Sequence, residues 1–148
     1  MARKVTICAS AFFIKEVLEM KKELEKHNLK VFTFPSQVML DGKKVSVIEY
    51  YKSRKETWNK EIEKLKEKLM KDHSKRIMDS DDILVLNLDK NGKKGYIGGN
   101  VLIEMGLAFA LKKKIFLINP VPEYLPYSEE IKGMRPIIIK NLEEIKNL

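Results

Sequence analysis

The feature that most constrains this chain is the stretch Gly95-Tyr96-Ile97-Gly98-Gly99-Asn100 followed by Val101-Leu102-Ile103-Glu104-Met105-Gly106-Leu107-Ala108-Phe109-Ala110-Leu111. A glycine loop feeds a helix so apolar that it must be largely buried, which requires layers of structure around it. A single charge, Glu104, interrupts that helix. A carboxylate in such a place either has a partner or has a chemical task. With Asn100 as the N-cap, Glu104 is expected in about the first turn, where the helix dipole and free N–H groups favour an ionised carboxylate.

The rest of the chain supplies those layers. Residues 4–9 are short, β-branched and end in small side chains, as a buried first strand does. Ser10-Ala11-Phe12-Phe13 then turns the chain, and Ile14, Val17, Leu18 and Leu24 give a helical stripe over residues 14–27, with Asn28 as its stop. Residues 30–34 read as the second strand, the apolar centre of 81–89 as the third, 114–118 as the fourth and 135–139 as a fifth at the sheet edge, where Pro136 is tolerated. Residues 142–148 read as a short closing helix. Strands alternating with helices over short connections imply a parallel sheet with right-handed crossovers. At 148 residues there is room for one such domain and not for two. The expected fold class is therefore α/β: a single-domain, flavodoxin-like or Rossmann-like three-layer sandwich over residues 1–148, with a five-stranded parallel sheet and helices on both faces.

Residues 35–52 are the least regular part. Asp41-Gly42 between Val38-Met39-Leu40 and Val45-Ser46-Val47-Ile48 suggests a hairpin or flap. An excursion of this length is either a lid or interface element or an exposed insertion without a role. Ser53 with Glu56 makes a capping-box signature for the next helix, and Trp58, Ile62, Leu65 and Leu69 form its expected buried stripe. Residues 72–80 continue or cap that helix.

Composition excludes several classes of function. No run approaches the ~18 apolar residues of a membrane span, and the first residues enter a strand instead of a leader's apolar core, so a cytoplasmic protein is expected. Cys8 is the only cysteine and reads as core. The net charge of +8 raises nucleic-acid binding, but lysines alternate with glutamates, as in residues 60–68, and mixed signs mark a solvated helix face, so nucleic acid is not the expected partner. The phosphate-binding loop of kinases and ATPases, the dinucleotide fingerprint after strand one and the His/Cys spacings of zinc sites are all missing. No cofactor and no metal are expected.

What remains is carboxylate chemistry. In open parallel sheets ligands bind beyond the carboxyl ends of the strands, beside a topological switch point. That rule gathers Ser10, Ala11 and Phe12, then Asn87 through Asn100, and residues from Asn119 onward, around one crevice. A buried Glu104 beside Gly98-Gly99 suits attack on an electrophilic carbon such as an anomeric centre. A second group would protonate the leaving base or activate water, and Asp89 and the Asp72-His73 pair are the candidates by position.

These residues carry a resemblance. Lys4-Val5-Thr6-Ile7-Cys8-Ala9-Ser10, then Ile77 four residues before Asp81 and the run Ile83-Leu84-Val85-Leu86-Asn87, then Glu104-Met105-Gly106-Leu107-Ala108 ahead of Lys114-Ile115-Phe116-Leu117-Ile118, resemble the nucleoside 2-deoxyribosyltransferase family over about residues 3–120. Its superfamily includes the 2'-deoxynucleoside 5'-phosphate N-hydrolases. The resemblance implies that Glu104 attacks the anomeric carbon of a small-molecule nucleoside or nucleotide and that water or a second base resolves the glycosyl-enzyme. It implies a base pocket at Ser10, Ala11 and Phe12, with Gly98, Gly99 and Asn100 near the sugar or phosphate. It also implies a homo-oligomer, expected as a dimer, in which Tyr124, Tyr127 or the flap can complete a neighbour's site. Two positions depart from the pattern. The usual strand-one tyrosine is replaced by Thr6 and Ile7, and the usual aspartate by His73 with Asp72 beside it. The alternative they suggest is a nucleotide-binding or sensing module with altered catalysis. The loop is also longer and more basic than usual through Lys90, Lys93 and Lys94, which favours a phosphorylated substrate.

Overall fold

Strand β1 (Lys4–Cys8) sets the layering, because a strand sends alternate side chains to opposite faces. In the computed structural model, which describes residues 1–147, Val5 and Ile7 enter one core while Cys8 enters the other. The remaining strands are β2 (Lys30–Phe32), β3 (Gln37–Leu40), β4 (Lys43–Ser46), β5 (Asp82–Val85), β6 (Lys114–Leu117) and β7 (Ile137–Ile138). Five of them form one sheet in the order β2-β1-β5-β6-β7, every pairing parallel. This is the expected five-stranded α/β sheet, and the chain reverses its direction of growth between β1 and β5. The crevice beyond their carboxyl ends is therefore the switch point.

Helices cover both faces. α1 (Ile14–Glu25) and α6 (Glu143–Asn147) pack with Val5, Ile7, Leu84 and Phe116 through Val17, Leu24 and Ile145. α3 (Lys60–Met78), α4 (Gly99–Ala110) and α5 (Ser128–Gly133) pack with Cys8, Ile83, Val85, Ile115 and Leu117 through Ile77, Met105, Ala108 and Ile131. The closing helix expected to reach residue 148 is described to Asn147, and Leu148 lies outside the described residues. No helix among the described residues is long and apolar enough to cross a membrane.

Several local expectations change. The second strand ends at Phe32, which frees Phe34 to turn toward the crevice. The fifth strand shrinks to Ile137–Ile138 at the edge, and α5 fills part of the loop before it. Residues 35–52 do form a hairpin: β3 and β4 pair antiparallel around Asp41 and Gly42, whose φ values of 53° and 72° suit a tight primed turn. A separate helix, α2 (Val47–Glu56), follows it, and both rest on a small core of Val38, Tyr50 and Ile62. Ser46 caps α2, its hydroxyl accepting from the Glu49 N–H at 3.1 Å, so Ser53 and Glu56 lie inside that helix and cap nothing after it. α3 is capped instead by Asn59, which accepts from the Ile62 N–H at 2.9 Å. The chain between the two helices breaks the expected stripe, and Trp58 stands there 55% exposed instead of in the core.

Candidate functional site

The sheet and α3 together build the floor of the crevice. Thr6 and Cys8 point to the α3 side of β1, and Thr6 Oγ1 donates to the Arg76 carbonyl at 3.0 Å, fixing the end of α3 against the strand. Ser80 shares that bond network, with its Oγ 2.6 Å from Thr6 Oγ1. One turn earlier in α3, His73 is thereby held over Cys8, Nε2 lying 3.8 Å from Sγ. Glu104 arrives from α4, with Oε2 3.8 Å from the same His73 nitrogen and 3.4 Å from Asn100 Nδ2.

Glu104 does not sit in the first helical turn. Gly98 is the N-cap of α4 and offers no side-chain cap bond, so Asn100 lies inside the first turn and Glu104 in the second. The dipole contribution to its ionised form is correspondingly smaller, because the effect fades beyond the first turn. Burial dominates instead and raises the carboxyl to about 8, against the opposing effects of the Cys8 thiol, Lys66 and Arg76. His73 moves the other way. Burial and the neighbouring Arg76 guanidinium hold it down at about 4, although a hydrogen bond with the Ile7 backbone opposes them. The ring is therefore neutral at pH 7. Arg76 has only donors, so its Nη1 at 3.4 Å makes His73 Nδ1 an acceptor and leaves the ring proton on Nε2, the nitrogen facing Cys8 and Glu104.

Cys8, His73 and Glu104 offer ligand atoms within 4.8 Å of one another, which raises the question of a metal ion. A metal held by His Nε2 wants Nδ1 as a donor to an outer acceptor. Here Nδ1 faces a guanidinium, and the Cys8 thiol is pushed well above its ordinary value by burial and by Glu104. The trio fits a neutral, proton-holding cluster better than a cation site.

Above this floor lies a cavity of about 140 Å³, room for a small organic molecule instead of a few waters. Ser10, Ala11, Gly98, Gly99, Asn100, His73 and Glu104 all line it. Phe12 lies just outside its wall, with its ring over Lys90. Asp89 is exposed and away from the lining; its Oδ1 accepts from the Gly95 N–H at 3.0 Å and so shapes the glycine loop. Gly95 itself has a φ of +57°, which favours glycine there. Asn87 is fully buried and acts as a clamp for the chain beyond β6. Its Oδ1 accepts from the Ile118 and Asn119 N–H groups at 3.1 and 3.0 Å, and its Nδ2 donates to the Asn119 carbonyl at 2.9 Å. Asn87→Ala is expected to destabilise the fold by about 2–3 kcal/mol, since those N–H groups would be left unpaired. A urea midpoint equal to wild type would refute the clamp. Tyr124 and Tyr127 brace the same glycine loop within the chain, donating to the Lys94 and Ile97 carbonyls.

One wall comes from residues to which the sequence assigned no role in the site. α2 brings Val47, Tyr50, Tyr51 and Arg54, and α3 adds Lys66, Leu69 and Met70. Lys66 donates to Asn100 Oδ1 at 3.1 Å, and its ammonium is lowered by burial and by Arg54. The signal that was available is the pair Tyr50-Tyr51 followed by Arg54 directly after a hairpin at the crevice. A second signal is Asn91-Gly92, whose φ values of 50° and 77° make a tight turn between Lys90 and Lys93 and let Lys90 fold inward.

No protein-family model matches the chain, and no curated protein matches it. Solved structures do. A 2-deoxyribosyltransferase from Bacillus psychrosaccharolyticus matches at TM-score 0.57 and 12% identity, covering 98% of this chain and 91% of that one. A CMP N-glycosidase from Clostridium botulinum matches at TM-score 0.49 and 18% identity, covering 97% of this chain and 93% of that one. At such identities the likeness to the first is a likeness of fold.

Proposed function

We propose that the protein is an N-glycosidase or glycosyl transferase that cleaves the bond between sugar and base in a (deoxy)nucleoside or its 5'-monophosphate, with Glu104 as nucleophile. The observation that carries this reading is the buried Glu104 carboxyl, 8% exposed, on the floor of a cavity whose other walls are aromatic, small and cationic. A carboxylate oxygen attacks the anomeric carbon, the C–N bond electrons leave with the base, and the resulting glycosyl ester is resolved by water or a second base. Neutral His73 and Asn100 orient the attacking oxygens. Gly98 and Gly99 leave the backbone open at the sugar, and Arg54 and Lys66 favour a substrate bearing a phosphate. The fold shared with a 2-deoxyribosyltransferase supports the reaction class.

The reading is tested by incubating the protein with purine and pyrimidine (deoxy)nucleosides and their 5'-monophosphates and following free base by chromatography. Base release from at least one, fastest with a 5'-monophosphate, is the expected result. Stabilisation by a nucleotide that is never consumed would point to the sensing alternative instead.

A further inference from the structure

Resting on the glycosidase reading above, we propose that Tyr51 is the proton donor to the departing base and the proton acceptor for the incoming water, held in that role by the buried Lys90. The geometry carries it. Tyr51 lines the same cavity as Glu104, but from a different helix, α2 instead of α4. Its Oη lies 2.6 Å from Lys90 Nζ. Lys90 is only 6% exposed and has no carboxylate partner among the described residues. Its other polar contact is Ser10 Oγ at 3.3 Å, and the rings of Phe12, Tyr51 and Tyr96 lie 5.4, 4.7 and 4.7 Å from its nitrogen.

A buried ammonium without an acid is held by what surrounds it, here the rings of Phe12 and Tyr96, the Ser10 hydroxyl and the Tyr51 phenol. The remaining charged groups facing Tyr51 are also cations. Lys55 Nζ stands 4.5 Å and the Arg54 guanidinium 4.6 Å from the ring centre. Such surroundings stabilise a phenolate. Burial of the phenol works against ionisation, but the hydrogen bonds and charges of Lys55 and Lys90 outweigh it and bring Tyr51 down to about 8. The donors expected from sequence are poorly suited by comparison. His73 is neutral at pH 7, and Asp89 is engaged outside the cavity.

The step balances. A Glu104 carboxylate oxygen bonds to the anomeric carbon as the C–N bond breaks, and its electron pair goes to the base. The Tyr51 hydroxyl proton passes to that base, leaving a phenolate facing Lys90 and Lys55. Water then attacks the anomeric carbon, gives its proton to Tyr51 and releases Glu104 as a carboxylate. Lys90 touches no substrate and is a positioning residue.

Two measurements test it. In the ligand-free protein, ultraviolet titration is expected to show one tyrosine ionising near pH 8, lost in Tyr51→Phe and moved to higher pH in Lys90→Met. No tyrosine ionising below about pH 9.5 would overturn the assignment. In kinetics, Tyr51→Phe is expected to lower kcat/KM for base release by about 10²-fold or more. The same variant should leave kcat/KM for a 4-nitrophenyl deoxyriboside or its 5'-phosphate, which reports cleavage to a leaving group that needs no proton, within about threefold of wild type, while kcat, limited by the water step, falls. Equal losses on both substrates, or none on either, would overturn the proton-donor role while the glycosidase reading stands. A wild type that releases nothing from any substrate overturns both.

Discussion

Glu104→Gln is expected to lower base release by at least about 10³-fold while leaving the fold intact. The amide keeps the shape of the carboxyl and its contacts with Asn100 and His73, but it cannot form the glycosyl ester. The wild-type enzyme should show the matching pH signature. Only the ionised carboxylate attacks, and burial places its titration at about 8 in the free protein. kcat/KM should therefore rise about tenfold per pH unit below that point and fall again above it as the Tyr51 phenol ionises, a bell centred near pH 8 whose falling limb is lost in Tyr51→Phe. A slow substrate or a fluorinated sugar should also leave a glycosyl adduct on the wild type, visible as added mass and absent from Glu104→Gln. A variant with undiminished turnover, or an adduct mapping to another residue, would remove Glu104 as nucleophile.

Much of the fold was legible because parallel sheets write themselves plainly into sequence. Both faces of β1, β5 and β6 are buried, so Ile83-Leu84-Val85 and Ile115-Phe116-Leu117 are continuous apolar runs and Val5-Thr6-Ile7-Cys8 is one broken only by a small hydroxyl, with helical stripes between them. The buried Glu104 was legible for the same reason: it is the one charge in an apolar helix. Its depth along that helix was not. Asn100 has the chemistry of a cap, yet its side chain is engaged by Lys66 and Glu104, and Gly98 takes the cap position without a side chain. Which cap is used depends on tertiary partners that local spacing does not contain.

The region from Ser46 to Asn59 fails for a related reason. Ser46 with Glu49 and Ser53 with Glu56 have the same spacing, and only the hairpin packed on Val38 and Tyr50 decides that the first pair begins a helix. Once α2 ends, Trp58 falls in the break between two helices, and a stripe drawn through it spans two axes. The wall of the cavity was hidden behind that ambiguity. Tyr51 and Arg54 acquire meaning only when α2 is laid against the 3-10 turn at Ala11–Phe13 and the Asn91-Gly92 turn folds Lys90 beneath it. His73 was visible as a residue in the right place, but its neutral state follows from Arg76 one turn further along, a contact between side chains and not a pattern.

The second large effect expected of Glu104→Gln is on stability, and it grows as pH rises. An unfolded chain ionises Glu104 near the ordinary value of 4.5, whereas the folded protein holds the proton until about 8. Between those values Glu104 holds one more proton in the native state than in the unfolded state, so its contribution to wild-type stability falls as pH rises, by about 1.4 kcal/mol per unit. Across the window from 4.5 to about 8 the loss is on the order of 5 kcal/mol. Gln cannot ionise, so the variant should match wild type near pH 4.5 and exceed it by that amount at pH 9. His73 contributes the opposite slope. Held down at about 4 against an ordinary 6.5, it withdraws stability as pH falls through that interval, equally in both proteins. Urea unfolding of the two proteins at several pH values between 4.5 and 9 measures the difference directly, and parallel curves would show that the carboxyl is not buried as described. Domains of this size are held by about 5–15 kcal/mol, so an acid that gives up a substantial fraction of that when ionised works against the stability of the fold. The proposed attack requires a desolvated carboxylate on the cavity floor and gives that cost a reason, whereas a purely structural site would be better filled by an amide.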